Sequence, residues 1–294
     1  MVDFNLVMIA THQNELNIFK LIDSVNRNVK NIKVLLLVVS QECEISYQPT
    51  RDSSLSIVFI NEVKMGLSKA RNIALRYLSD KNISSEYIMF PDDDSSFDDF
   101  FFLNFFQILK TDKCYITPIF NEGSQDLYFG KRTPDGKILT PLDHQLIGSP
   151  NQIILYDKLK SKIIFDEKLG VGAIYGSSED IDLFIKLFNT GEQFVFINNI
   201  YTYHPKKIAA YKNTKFAKII KRFESYSNGF AYIIFKYRLY GFIPEYLIRT
   251  FGAFIVFTFK LQFKLAFAYL LQFFIRIKIL ITYFFNRNLY RINE

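Results

Sequence analysis

The sequence has no tryptophan and only two cysteines, Cys43 and Cys114, in 294 residues. One potential pair does not make a disulfide framework, so a reducing, cytosolic setting is expected. The first ten residues lack a basic flank and a small-residue cleavage site, so Phe4 to Ala10 is expected to be a buried strand rather than a signal peptide. No Walker-type phosphate loop is present, and no internal repeat of 20 to 50 residues is evident. Acidic residues are nearly missing from the end of the chain. Residues 205–294 carry 16 Lys/Arg against 3 Asp/Glu, whereas residues 1–204 carry 20 against 26. The same last 90 positions hold 24 of the 50 Phe and Tyr residues, so the two parts are built for different work.

In the longer part, short apolar runs at Phe4 to Ala10, Val34 to Val39, Ile57 to Ile60 and Tyr87 to Phe90 have the pattern of strands buried on both faces. Helical spacing separates them at Glu15 to Val29 and Leu67 to Leu78, and returns at Asp98 to Leu109 and Ser178 to Asn189. This alternation predicts an α/β domain with an open, mostly parallel sheet flanked by helices. Residues 121–150, with Thr133-Pro134-Asp135-Gly136, predict a hairpin or mobile loop, and Gln193 to Ile197 a further strand. Ligands of such sheets bind beyond the carboxyl ends of the strands, which gathers Thr11-His12-Gln13-Asn14, Ser40-Gln41 and Asp92-Asp93-Asp94 on one rim.

Three adjacent carboxylates repel one another unless they are solvated or share a cation. Mg²⁺ and Mn²⁺ take oxygen ligands, commonly one or two carboxylates plus substrate phosphates. The alternative is an acidic turn that caps the helix beginning near Asp98. Glu179-Asp180 offers a carboxylate at a helix start, able to accept a proton from an attacking hydroxyl, although a helix cap has the same appearance. His204 is either a metal ligand, a diphosphate contact or a half-buried polar residue. Gly66, with Leu67-Ser68-Lys69-Ala70-Arg71-Asn72, puts cations at a helix start, where Arg71 can pair with a phosphate or with an acidic-triplet carboxylate.

Taken in order, Gly66 to Asn72, Phe90-Pro91-Asp92-Asp93-Asp94, Ile147-Gly148-Ser149-Pro150, Phe165 to Gly172, Gly176-Ser177-Ser178-Glu179-Asp180 and Tyr203-His204-Pro205 resemble the family-two glycosyltransferases of GT-A fold, particularly bacterial enzymes of capsular and surface polysaccharide synthesis. The resemblance covers roughly residues 3 to 205 and implies a GT-A catalytic domain over 1–205 with a helical extension over 206–294. It implies a nucleotide-sugar donor, a UDP-sugar by the family's habit, bound through Thr11, Glu15, Gly66, Leu67, Arg71, Asp92 and Asp93. A Mn²⁺ or Mg²⁺ ion would be held by Asp92, Asp94 and His204. The pair Glu179-Asp180, with Asp180 the better candidate, would supply the base of an inverting transfer, and Gly148, Ser149, Gly170 and Gly172 would line the sugar and acceptor side. Ser40-Gln41 stands where many relatives have an acidic residue that contacts the base, which weakens the inference to uridine.

From Phe251 to Phe285 the chain is intensely apolar, but Lys260, Lys264, Arg276 and Lys278 limit its uncharged runs to 10 to 11 residues. A spanning helix needs about 20. Basic, aromatic helices that lie on the anionic inner face of the plasma membrane are the expectation, with helices packed on the catalytic domain or a partner subunit as the alternative. That location suits a saccharide acceptor on a polyprenyl diphosphate. An oligomer is compatible with either arrangement. A nucleotidyltransferase is the competing enzyme class, but the first loop lacks its Gly-rich basic pattern. Nucleic-acid binding is disfavoured because the tail's cations are interleaved with runs that need burial or lipid.

Overall fold

A computed structural model describes residues 3–12, 15–42, 45, 47, 54–108, 112–205, 211 and 214–286. Cys43, Gln13 and Asn14 lie outside the described residues; Cys114 is a free, buried thiol. The chain divides into two compact units. Unit 1 is Met1–Asp166 with Asp180–Lys207, and unit 2 is Glu167–Glu179 with Ile208–Glu294. The 167–179 segment, which lies inside the 1–205 range expected for the catalytic domain, groups with the helices of unit 2.

Unit 1 is built on a seven-stranded sheet, in which β1 (Phe4–His12), β2 (Val34–Gln41) and β3 (Leu55–Glu62) run parallel. Beyond β1 come β4 (Ser85–Met89), β7 (Gln152–Leu155), β5 (Cys114–Ile116) and β8 (Phe194–Phe196), giving the order β3-β2-β1-β4-β7-β5-β8. Only β7 runs against its neighbours. All eight residues of β2 are buried, as a central parallel strand requires. The helices are α1 (Glu15–Asn28), α2 (Leu67–Asp80), α3 (Asp99–Ile108), α4 (Tyr156–Leu159) and α5 (Glu179–Asn189). Helix α3 buries Phe101, Phe102 and Phe105, the last edge-on to Tyr87 of β4 at 5.5 Å. Each such ring contributes about 1.5–3 kcal/mol of burial.

Strand order reverses between β1 and β4, so the carboxyl ends of these two strands form the crevice where such sheets bind ligands. A second, two-stranded parallel sheet pairs β6 (Ile119–Asn121) with β9 (Thr202–His204). The 121–150 segment is a tight hairpin only at its start, where Asn121 N–H meets Asp126 O and Tyr128 N–H meets Ile119 O, both at 2.8 Å. Farther on, Gly136 and Leu139 donate to Phe196 and Phe194 of β8, so that part is fastened along the sheet edge rather than forming a mobile loop.

Unit 2 contains α6 (Phe216–Lys236), α7 (Ile243–Phe259) and α8 (Phe263–Phe285). Tyr240–Phe259, which includes a short 3₁₀ turn before α7, and Phe263–Phe285 are long and apolar enough to cross a membrane by length and composition. Counting uncharged runs understates them because the helices continue through their charges. Arg276 turns inward and donates to the Tyr246 carbonyl, with its guanidinium 4.1 Å from the Tyr246 ring centre. The 167–179 segment turns at Gly170 and Gly172, whose φ of +95° and +82° place them in the left-handed region that a side chain resists. It meets α6 where Ser225 Oγ donates to Gly176 O at 3.0 Å. A Cβ on Gly229 would lie 2.5 Å from Ser177 O, so glycine is what lets segment and helix approach.

Candidate active site

The acidic triplet leaves the end of β4 directly at the switch point. It does not cap the following helix: Asp98 does, accepting the Phe101 N–H through Oδ1 at 3.1 Å. A turn closes from Ser95 N–H to Asp92 O at 3.0 Å, and Ser96 then exchanges two backbone bonds with Tyr203, at 3.0 and 2.9 Å. This clamp fixes β9 beside the triplet and places His204 over it. His204 Nε2 lies 3.0 Å from Asp94 Oδ1 and 3.6 Å from Asp92 Oδ2. One ligand atom each from Asp92, Asp94 and His204 falls within 4.8 Å of the others. Two carboxylate oxygens and an imidazole nitrogen form a donor set that suits Mn²⁺ or Mg²⁺.

Electrostatics agree with a shared positive charge at this point. Burial alone would push the His204 imidazolium down, but hydrogen bonds to Asp92 and Asp94 outweigh it and raise its pKa to about 10. Burial would raise the Asp94 carboxyl, yet bonding to His204 leaves it below the ordinary carboxylate value. Asp93 stands apart: burial, then its neighbours Asp94 and Asp92, raise it to about 7. It is not part of the three-residue group.

Arg71 is the structural hub of the site. It is 1% exposed, with Nη2 3.6 Å from Asp92 Oδ1 and Nη1 donating to Ser149 Oγ at 3.0 Å. Its guanidinium also lies 5.8 and 5.3 Å from the Phe90 and Phe165 ring centres. So α2, the triplet and the Gly148-Ser149 turn are tied through one buried cation, and Arg71 meets the carboxylate rather than open solvent. Neighbouring Asn72 holds the Phe165 backbone in both directions, at 3.0 and 2.9 Å. Gly66 and half-buried Leu67 form the entry to α2. Gln41, at the expected base-contacting position, accepts the Met65 N–H at 2.8 Å and so fixes that entry. Buried His12 pairs with Ser40 Oγ at 3.0 Å across the ends of β1 and β2.

Thr11 is half-buried at the end of β1, and Glu15 opens α1, with its side chain outside the described residues. Gly148 donates its N–H to Asn151 Oδ1 at 2.9 Å, and a Cβ there would meet the Phe129 ring at 2.7 Å. Glu179 is buried and Asp180 half-buried at the start of α5, just after Ser178, which takes a φ of +70°. Asp180 Oδ1 accepts the Ile181 N–H at 2.8 Å, and its carbonyl accepts from Gln152 of β7 at 3.1 Å. Gly170 and Gly172 belong to unit 2, where the turn accounts for both glycines.

Two residues enter without a sequence signal. Tyr128 packs its ring against His204 at a tilt of 32°, ring centres 4.2 Å apart, and Lys20 of α1 helps hold Asp94 ionised while pairing with Glu122 at 2.5 Å. A lysine on an amphipathic helix and a tyrosine in a turn-rich segment have no distinguishing pattern.

A mostly parallel sheet with one reversed strand and a carboxylate group at the switch point defines the GT-A fold of the nucleotide-sugar transferases. The particular likenesses are these. S. aureus TarS 1-349 matches with a TM-score of 0.51 at 14% identity, over 95% of this chain and 91% of that one. The mannosyltransferase PcManGT from Pyrobaculum calidifontis, in complex with GDP-Man and Mn²⁺, matches with a TM-score of 0.50 at 15% identity, over 79% and 66%. Against another S. aureus TarS structure the chain spans 38% of the length. No protein-family model and no curated protein sequence matches the chain.

Proposed function

We propose that the protein is a metal-dependent, inverting glycosyltransferase that moves a sugar from a nucleotide-diphospho-sugar to a saccharide acceptor. The observation that carries this reading is the grouping of Asp92, Asp94 and His204 at the switch point of a GT-A sheet. These three residues would hold Mn²⁺ or Mg²⁺; a neighbour of the same fold holds GDP-Man and Mn²⁺. When bound, the ion supplies Lewis-acid stabilisation of the charge that develops on the departing diphosphate. Arg71 keeps Asp92 and the Ser149 turn in fixed relation, which pre-organises the donor side.

Asp180 is the general base. Its carboxylate takes the proton of the acceptor hydroxyl as that oxygen bonds to the anomeric carbon, the bond from that carbon to the diphosphate oxygen breaks, and the nucleoside diphosphate leaves with the electron pair. Attack from the opposite face inverts configuration. The Ile181 N–H bond at the α5 N-terminus orients the Asp180 carboxylate for this task. Unit 1 would be the catalytic domain. The basic aromatic unit 2 would attach the enzyme peripherally to the inner face of the plasma membrane, where a lipid-linked saccharide is presented.

Screening UDP-, GDP-, CDP- and dTDP-sugars with Mn²⁺ for nucleoside diphosphate release tests the reading. Metal-dependent release from one donor, lost in Asp94→Ala, is expected. Pyrophosphate release from a nucleoside triphosphate and a sugar phosphate would favour a nucleotidyltransferase and overturn it.

A further inference from the structure

We infer that unit 2 docks on one leaflet of an anionic phospholipid bilayer through the outer face of the α7–α8 hairpin, and that the hairpin does not cross the bilayer. The inference rests on the membrane reading above and gives it a surface. On α7, Ile248, Phe251, Ile255, Val256 and Phe259 are exposed along one side, at steps of three and four residues apart from the adjacent Ile255 and Val256. On α8 the corresponding stripe is Phe263, Phe267, Phe274, Ile281 and Phe285. Phe259 and Phe285 are 84% and 88% exposed. A contiguous aromatic surface of this kind marks a contact with lipid or protein.

Charge decides for lipid. Between Tyr246 and Asn293 the sequence has seven Lys/Arg and no Asp or Glu. The polar groups between the helices are satisfied within the unit: Gln272 donates to Ser227 Oγ at 3.3 Å and Arg276 to the Tyr246 carbonyl. Lys264 Nζ donates to Thr214 O at 2.6 Å and Phe216 stacks on Phe267 at 5.8 Å, bringing the first turn of α6 to the α7–α8 turn. Exposed Lys215, Lys218, Lys260 and Lys264 therefore rim exposed Phe259, Leu261 and Phe263. Apolar and Phe side chains rimmed by lysines suit the headgroup boundary of an anionic leaflet.

Helix α6 excludes spanning. It runs beside α8 along much of its length, with Phe223 against Tyr269 at 4.8 Å and Phe235 against Tyr283 at 5.1 Å. Its outer face carries exposed Lys218, Lys221, Arg222 and Glu224. If α8 crossed the hydrocarbon, these charges, level with its first turns, would be drawn toward it, where ionised side chains are costly. A hairpin lying along one leaflet leaves them in water.

Co-sedimentation of the full chain with vesicles of phosphatidylcholine alone, or of equal parts phosphatidylglycerol and phosphatidylcholine, tests the surface. Binding to the anionic vesicles only is expected. The triple substitution Phe259→Ser, Phe263→Ser, Phe285→Ser and the pair Lys215→Glu, Lys260→Glu should each weaken it at least about tenfold. Unchanged binding by both variants, retention of the bound chain in the membrane after alkaline carbonate, or no vesicle binding together with a dimer that the Phe→Ser variant dissociates, would each overturn the inference. Metal-dependent nucleotide-sugar hydrolysis without vesicles, equal in wild type and variants, separates this surface from the catalytic reading. If no donor is hydrolysed while anionic binding persists, the transferase reading fails and the surface stands.

Discussion

The two units handle apolar and charged residues in opposite ways. Unit 1 leaves 6 large hydrophobic side chains exposed among its described residues and concentrates carboxylates at the sheet's switch point. Unit 2, about half its size, exposes 15 and surrounds them with cations. A buried apolar sheet gives a rigid frame on which a few polar groups can be placed to within tenths of an ångström. An exposed aromatic face contributes little to the stability of its own unit and is suited to contact with something else. On the proposed function, chemistry would belong to unit 1 and attachment to unit 2. The 167–179 segment complicates this division, because it packs with α6 and yet leads directly into Asp180.

The sharpest way to break the comparison is to remove carboxylates from unit 1. Asp94→Ala and Asp180→Ala should each lower transfer by about 10²–10⁴-fold in a donor-release assay, with circular dichroism and melting temperature unchanged. Substantial transfer by both variants would mean that the chemistry is elsewhere. Next is Arg71→Met, which severs the link from α2 to Asp92 and Ser149. It should cost about 1.5–3 kcal/mol in denaturant melts and weaken Mn²⁺ binding, whereas a purely structural arginine would leave metal affinity untouched.

Gly229→Val tests the join between the two kinds of region. Its side chain would strike the Ser177 carbonyl, costing about 1–3 kcal/mol, and transfer should fall even though no group of the metal site is altered. Full activity at wild-type stability would show that the 167–179 segment adjusts without consequence to Asp180. The smallest effect is on pH dependence. With its folded pKa raised to about 10, His204 contributes stability fully present below its ordinary value of 6.5 and lost as pH rises through about 10. Metal must displace that proton, so Mn²⁺ affinity should rise with pH between 6.5 and 9 in wild type and much less steeply in His204→Gln. Identical pH profiles would remove His204 from the ligand set.

Much of unit 1 was legible in the sequence because buried parallel strands are continuous apolar runs, and β1 to β4 follow them closely. Strands β5, β6, β7 and β9 have only three or four residues each, too few to show a period. The acidic triplet was visible, but its alternatives were separable only in three dimensions, where Asp98 proved to be the helix cap. His204 became part of the site through its strand: β9 is held by Ser96 on one side and β6 on the other, a pairing between residues over 80 positions apart. The spanning potential of unit 2 was hidden because Arg276 interrupts the apolar run in sequence but points inward in the fold.

Mn²⁺ binding to the purified full chain, followed by calorimetry or electron paramagnetic resonance at pH 8, tests the metal site most directly. Wild type should bind one ion per chain, more tightly with the nucleoside diphosphate of its donor present, and the Asp92→Ala, Asp94→Ala double variant should bind none at the same concentrations. Equal binding by wild type and a folded double variant would contradict the account.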